Sequence, residues 1–244
     1  MGNGQQPIHA SSRLVKRYLI TGASRGIGRA ISARLAGPNV TLLLHGRDVA
    51  ALDETCQLVE LTGVHVEKLV FDLATTAGVE ALIREVGQKP LDLLVNNAGI
   101  AVVKPFAEVT RVELEQTLAV NVTAPILLTQ HFAHRMSPGS CIVNILSIAA
   151  KTAFPNWSIY SASKFALDGF SSAVREELRT HGVRVVNIYP AATDTEIWNA
   201  VEGEWPRNQM MPSASVADAV AFAISQPEAI AIENITLSNT SGSL

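Results

Sequence analysis

The chain has 244 residues, enough for one large domain and short for two, with 48 % apolar and 17 % charged residues. A net charge of −3, with basic residues scattered along the chain, leaves no electrostatic footprint for nucleic acid or for an anionic membrane. Cys56 and Cys141 make no disulfide framework and no metal spacing, and His131-x-x-His134 has no Cys or carboxylate cluster beside it, so no metal is expected.

The start, MGNGQQPIHASSRLV, lacks the apolar core of a signal peptide, and Gln6 stands where a myristoylation pattern requires Ser or Thr. Residues 1–15 read as a flexible leader and 16–244 as a single domain. The apolar runs are of strand length, so no membrane span is expected and a cytoplasmic location is the default.

From Arg17 onward, short apolar runs alternate with longer amphipathic ones. Tyr18-Leu19-Ile20 enters a glycine-rich turn at residues 21–28, and a helix follows to about Leu35, broken by Gly37-Pro38-Asn39. Residues 40–44 are continuously apolar, as in a strand covered on both faces. Asp48 caps a helix that stops at Gly63. Residues 66–71 form a third strand, 76–86 a helix and 91–95 a fourth strand. Thr110-x-x-Glu113 opens a long helix to about Met136, within which Pro125 predicts a kink or local irregularity. A strand at 141–146, a helix at 157–180 ended by His181-Gly182, and a strand at 183–189 follow. Ser215-x-x-Asp218 is expected to cap a short helix ending near Ser225, and residues 230–237 to form the last strand. The alternation predicts an α/β fold: one Rossmann-type, doubly wound parallel sheet of about seven strands flanked by helices. In such sheets ligands bind outside the carboxyl ends of the strands, near the point where strand order reverses.

Two stretches at predicted strand ends carry chemistry. Thr21-Gly22-Ala23-Ser24-Arg25-Gly26-Ile27-Gly28 spaces its glycines as G-x-x-x-G-x-G, which permits a tight turn and places a helix N-terminus where a pyrophosphate is favoured. Ser147 closes an apolar strand, and Tyr160 and Lys164 follow four apart on a helix, hence on one face. A phenol titrates near 10 in water, and a fixed cation beside it is expected to lower that value toward neutrality, making Tyr160 a proton donor and acceptor.

Together with Asn96-Asn97-Ala98-Gly99 after the fourth strand, these motifs resemble, in order and spacing, the short-chain dehydrogenase/reductase family over about residues 15–240. The resemblance implies a nicotinamide cofactor and transfer of its pro-S hydride to a ketone or aldehyde carbonyl, or the reverse alcohol oxidation. It assigns the substrate hydrogen bond to Ser147, the general acid to Tyr160, the ribose hydroxyls and the tuning of Tyr160 to Lys164, and a proton-relaying water to Asn121. It gives the cofactor Gly22, Ser24, Arg25, Gly26, Ile27 and Gly28 of the turn, Asp72 and Leu73 after the third strand, Asn97, Ala98 and Gly99 after the fourth, and Tyr160 with Lys164. Pro190, Thr193 and Thr195 follow the sixth strand, with Ala191 standing where relatives often have Gly.

At the end of the second strand, relatives selective for NAD carry an acid, whereas here Gly46 is followed by Arg47. A guanidinium recognises phosphate, so Arg47, with Arg25, predicts NADPH/NADP+. Phe154, Trp157, Trp198 and Trp205, with Met210 and Met211 nearby, are candidate substrate-lining residues. The C-terminal part is similar to bacterial sepiapterin-reductase-like and hydroxy-acid-dehydrogenase-like members of the family. Alternatives to a general carbonyl reductase are a pterin side-chain carbonyl reductase, a 3-oxoacyl thioester reductase and a non-catalytic NADP-sensing protein. The family further implies a homodimer or homotetramer through the two long helices, with Ala166, Phe170 and Ala173 on a candidate partner face.

Overall fold

The computed structural model describes residues 15–201 and 203–240, so residues 1–14 of the expected leader lie outside it. In chain order the first half runs β1 (Lys16–Ile20), α1 (Gly26–Leu35), β2 (Val40–Gly46), α2 (Val49–Glu60), β3 (His65–Val70), α3 (Thr76–Val86) and β4 (Leu93–Asn96). The second half runs α4 (Arg111–Leu118), α5 (Ala124–Ala133), β5 (Cys141–Ile145), α6 (Ser158–Arg179), β6 (Arg184–Pro190), the short β7 (Thr193–Asp194) and β8 (Met211–Pro212), α7 (Ser213–Ile224) and β9 (Asn234–Leu237). The main sheet has seven strands in the order β3-β2-β1-β4-β5-β6-β9, every pair parallel. Strand order reverses between β1 and β4, so their two carboxyl-end loops face one crevice. Among the described residues no helix is long and apolar enough to cross a membrane.

Helices on both faces explain why β5 and β6 are buried along their whole length and are mostly apolar. One core cluster gathers Ile20, Leu42, Leu44, Val95, Val143 and Val186 with α1, α2 and α7; the other gathers Leu19, Leu43, Leu94 and Ile142 with α3 and α5. Successive strand residues point to opposite faces, which is why Leu42 and Leu43 divide between the clusters. Across the C-terminal half of the sheet, Asn96, Asn144, Asn187 and Asn234 stand in register. Asn96 donates to Asn144 at 2.9 Å and Asn144 to Asn187 at 3.2 Å, a polar seam just below the strand ends that carry the site.

Three predicted elements are corrected. The long helix after the Thr110 capping box is not continuous: a π-helical turn at Ala119–Thr123 separates α4 from α5. Pro125 has no N–H to give the Asn121 carbonyl four residues back, so the regular ladder cannot pass that point. Ser215 and Asp218 do not cap α7, which starts at Ser213 directly after Pro212 without a side-chain cap; Asp218 instead pairs with Arg34 of α1 at 2.7 Å. The last strand is confined to Asn234–Leu237, the residues that stand in register with β6. The cap assigned to Asp48 is present, its carboxylate accepting from the Ala51 N–H at 3.2 Å.

Candidate active site

The strand ends around the switch point open into one cavity of about 330 Å³. At the β2 and β3 ends it is lined by His45, Gly46, Arg47, Phe71, Asp72 and Leu73. Toward the β4 and β5 ends come Asn97, Ala98, Gly99, Ile145, Leu146, Tyr160 and Lys164. The glycine turn lies between, and Thr195, Glu196 and Ile197 complete the wall.

The turn is built by close approach of backbone to backbone. A Cβ on Gly28 would stand 2.1 Å from the Gly22 carbonyl oxygen, and one on Gly22, where φ is +65°, would stand 2.8 Å from Ala98 Cα. The Asn97 side-chain amide donates to the carbonyls of Thr21 and Gly22 at 2.9 and 3.0 Å, locking the β1 and β4 loops together. Behind the turn Arg29 donates to the Ser24 carbonyl at 2.7 Å and the Ala51 carbonyl at 3.0 Å. Helix α1 opens at Gly26 with no acidic residue in its first turn. Its leading N–H groups lack helical acceptors, so a slot walled by glycine and ending on a helix N-terminus fits a dinucleotide pyrophosphate.

His45 was missed in the sequence, although a histidine directly after the apolar run Leu42-Leu43-Leu44 is the signal that marks it. It is 3 % exposed and bridges the site. The Gly22 N–H reaches its Nδ1 at 3.4 Å, and its Nε2 stands 3.1 Å from the Phe71 carbonyl. An amide can only donate and a carbonyl only accept, so the neutral ring protonated at Nε2 satisfies both. Burial pushes its pKa down to about 4.

The two candidate phosphate-binding cations differ. Arg25 is paired with Asp48 at 3.1 Å. Arg47 lines the cavity, is exposed, and has no anionic partner among the described residues. The Asp48 carboxylate is therefore offset by Arg25, while the Arg47 guanidinium has no such pairing. Asp72 spends one oxygen on the Ala74 N–H at 3.0 Å, and Leu73 is buried in the core beneath it.

At the opposite end Tyr160 is 9 % exposed and Lys164 5 %. Lys164 Nζ donates to the Ile145 carbonyl at 2.9 Å and stands 5.6 Å from the centre of the Tyr160 ring. Burial pushes the Tyr160 phenol up to about 12, opposed weakly by the hydrogen bond with Ser147, and pushes the Lys164 ammonium down to about 8. The lowering of the Tyr160 pKa expected from the sequence is thus reversed here: removal from water outweighs the opposing Ser147 hydrogen bond. At neutral pH the phenol holds its proton and the lysine is mostly charged.

Ser147 does not line the cavity; its oxygen accepts from the Ala149 N–H at 3.1 Å and meets the phenol. The Asn121 side chain is a brace: Oδ1 accepts from the Ile100 N–H at 2.9 Å, while Nδ2 donates to the Ile100 carbonyl at 2.9 Å and to Ser163 Oγ at 3.0 Å. Ser163 in turn donates to the Tyr160 carbonyl at 2.7 Å, so the β4 loop is tied to the first turn of α6. Pro190 ends β6, and Thr193 is buried with its hydroxyl on the Ala191 carbonyl at 2.9 Å; Thr195 alone of the three lines the cavity. Ala191 needs no glycine conformation, because Asn156 is the one non-glycine residue with positive φ among the described residues.

Phe154, Trp157, Trp198 and Trp205 are not among the residues that wall this cavity, whereas Ile197 is; Trp157 adjoins it through Tyr160. The three indoles pack on one another instead, and Trp157 meets the Tyr160 ring with centres 5.3 Å apart. Met210 and Met211 are buried beneath the same segment.

Residues 16–205 match the short chain dehydrogenase family. The chain is 32 % identical over 238 residues to the sepiapterin reductase of Chlorobaculum tepidum, covering 93 % of this chain and 97 % of that one. It is 37 % identical over 188 residues to the D-erythrulose reductase of Gallus gallus, covering 75 % and 73 %. Among solved structures, a short-chain dehydrogenase from Sphingobium yanoikuyae in complex with NADPH superposes with a TM-score of 0.82 at 30 % identity, covering 91 % and 87 %.

Proposed function

The chain belongs to the short-chain dehydrogenase/reductase family, and on that premise we propose that it is an NADPH-dependent reductase of ketone or aldehyde carbonyls, able to run in reverse as an alcohol dehydrogenase. The observation that carries this reading is the buried Tyr160 phenol, hydrogen-bonded to Ser147 and backed by Lys164, at the end of the cavity away from Arg47. The NADPH bound to the Sphingobium relative and the unpaired Arg47 support the phosphorylated cofactor.

When bound, the nicotinamide supplies the hydride that a carbonyl carbon accepts. Ser147 donates to the carbonyl oxygen and holds it against the phenol. Tyr160, protonated at neutral pH, delivers its proton to that oxygen as charge develops there. The Lys164 ammonium offsets the phenolate left behind, inside a site where charge is poorly screened. Asn121 holds the Ile100 loop and α6 in register, and the family resemblance gives it the water relay to Lys164.

A pterin side-chain carbonyl is a specific option, favoured by similarity to a sepiapterin reductase along nearly its whole length. An idle sensor is disfavoured by the complete Asn121, Ser147, Tyr160 and Lys164 set. Assembly as a homodimer or homotetramer through α4, α5 and α6 belongs to the same reading; α6 exposes Ala166 and Ala173 there, while Phe170 packs against Leu167 and Tyr189. The test is NADPH oxidation with a panel of ketones, sepiapterin-type pterins and 3-oxoacyl thioesters. Turnover with at least one class is expected, and NADPH binding without turnover of any would refute the reading.

A further inference from the structure

The chain is poor in aromatic residues, which make up 5 % of it, yet all three of its tryptophans stand in one cluster on the Tyr160 ring. Trp157 comes from the loop before α6, and Trp198 and Trp205 from the segment between β7 and β8. Trp198 and Trp205 form a tilted pair with centres 4.7 Å apart. Trp157 stands farther off, edge-on to both, at 5.7 and 6.3 Å.

Four features distinguish this cluster from core packing. All three indoles are only half-buried, whereas the core is closed. An edge-on contact covers one face of one ring and none of the other's, unlike a stacked pair, and a ring face is what an entering aromatic ring uses. The indole N–H groups of Trp198 and Trp205 are committed to the Thr193 and Val201 carbonyls at 2.9 and 3.3 Å, so these rings offer carbon surface rather than donors. The segment that carries them is pinned at its base, where Arg207 donates to Asp194 at 2.5 Å, to the Thr195 carbonyl at 2.9 Å and to Asn199 at 3.2 Å.

We propose that Trp157, Trp198 and Trp205 form an aromatic clamp beside Tyr160, and that the substrate is an aryl carbonyl compound whose ring packs on the indole faces that the cluster leaves uncovered. The ring plane is gripped on the solvent side of the phenol while the attached carbonyl reaches Tyr160 and Ser147. This rests on the reductase reading and names its substrate class.

The test compares kcat/KM with NADPH for acetophenone and 2-acetylnaphthalene against cyclohexyl methyl ketone, in the wild type and in Trp198→Leu, Trp205→Leu and Trp205→Phe. Intrinsic reactivity cancels when the aryl-to-cyclohexyl ratio is compared between proteins. Each leucine variant is expected to lower that ratio about 2- to 10-fold, with Trp205→Phe keeping most of it. Because every tryptophan of the chain lies in the cluster, its emission reports on this site alone. Saturable quenching by 2-acetylnaphthalene in the NADP+ complex is expected, at lower affinity in Trp198→Leu. An unchanged ratio in both leucine variants, or quenching that does not saturate, would overturn the clamp. If no carbonyl compound oxidises NADPH, the reductase reading fails by itself, and the quenching still decides whether the clamp binds aryl rings.

Discussion

The glycine turn at residues 21–28 and the segment at 195–210 wall the same cavity, and they are held in opposite ways. The turn is held by main chain against main chain: Gly28 on Gly22, Ala98 against Gly22, and Asn97 and His45 bonded to backbone groups. Nothing there depends on which ligand side group arrives, because the part being recognised is a phosphate and a helix terminus. The segment at 195–210 is held by indole on indole and by Arg207, with short 3-10 turns at Glu196–Ala200 and Arg207–Gln209. Its contacts are side chains that a different sequence could exchange without disturbing the sheet. On the proposed reading, the first region holds the cofactor and the second selects the carbonyl compound.

Acidification probes the first region most strongly. His45 titrates near 4 when folded and near 6.5 when unfolded, so the unfolded chain takes up the proton first. The stability it contributes is complete above pH 6.5 and falls away toward pH 4, by about 3 kcal/mol at most. Thermal melts between pH 7 and 4 should show the decline, and His45→Gln should flatten it. An equal decline in the variant would remove His45 from that role.

Gly28→Ala forces a methyl to 2.1 Å from a carbonyl oxygen, and the turn must move. A cost of about 1–3 kcal/mol is expected, seen as a lower Tm and a rise in the NADPH Kd, with the aryl preference of the remaining activity unchanged. Arg47→Asp should lower the NADPH-to-NADH ratio of kcat/KM about 10- to 100-fold without moving carbonyl selectivity. A ratio that stays put would transfer the phosphate contact to Arg25. The smallest effect belongs to the second region. Arg207→Ala removes half-exposed ionic contacts worth under about 1 kcal/mol, so Tm should hardly change while KM for the carbonyl compound rises a few-fold. A larger change in NADPH affinity than in that KM would erase the contrast between the two regions.

The same contrast governs what could be read in the chain. The parallel sheet, the glycine turn and the Tyr160–Lys164 spacing follow from periodicity and from local backbone demands, and they appear as expected. The π-helical turn at Ala119–Thr123 was visible only as Pro125, which says that the ladder fails but not how it is repaired. The start of α7 was misread because Pro212 performs the entry that Ser215 and Asp218 seemed to offer. The direction of the Tyr160 shift was misread because spacing along a helix reports neighbours and not burial. The Trp cluster brings together residues as far apart as 157 and 205, and no local pattern encodes that meeting.

The most direct test of the central claim is single-turnover reduction of a carbonyl compound by Tyr160→Phe with NADPH binding measured separately. Tyr160→Phe keeps the ring against Trp157 and removes the hydroxyl that carries the proton and meets Ser147. The rate should fall about 100- to 10,000-fold while the NADPH Kd stays near that of the wild type. A variant that binds NADPH and turns over within a few-fold of wild type would show that Tyr160 is not the acid.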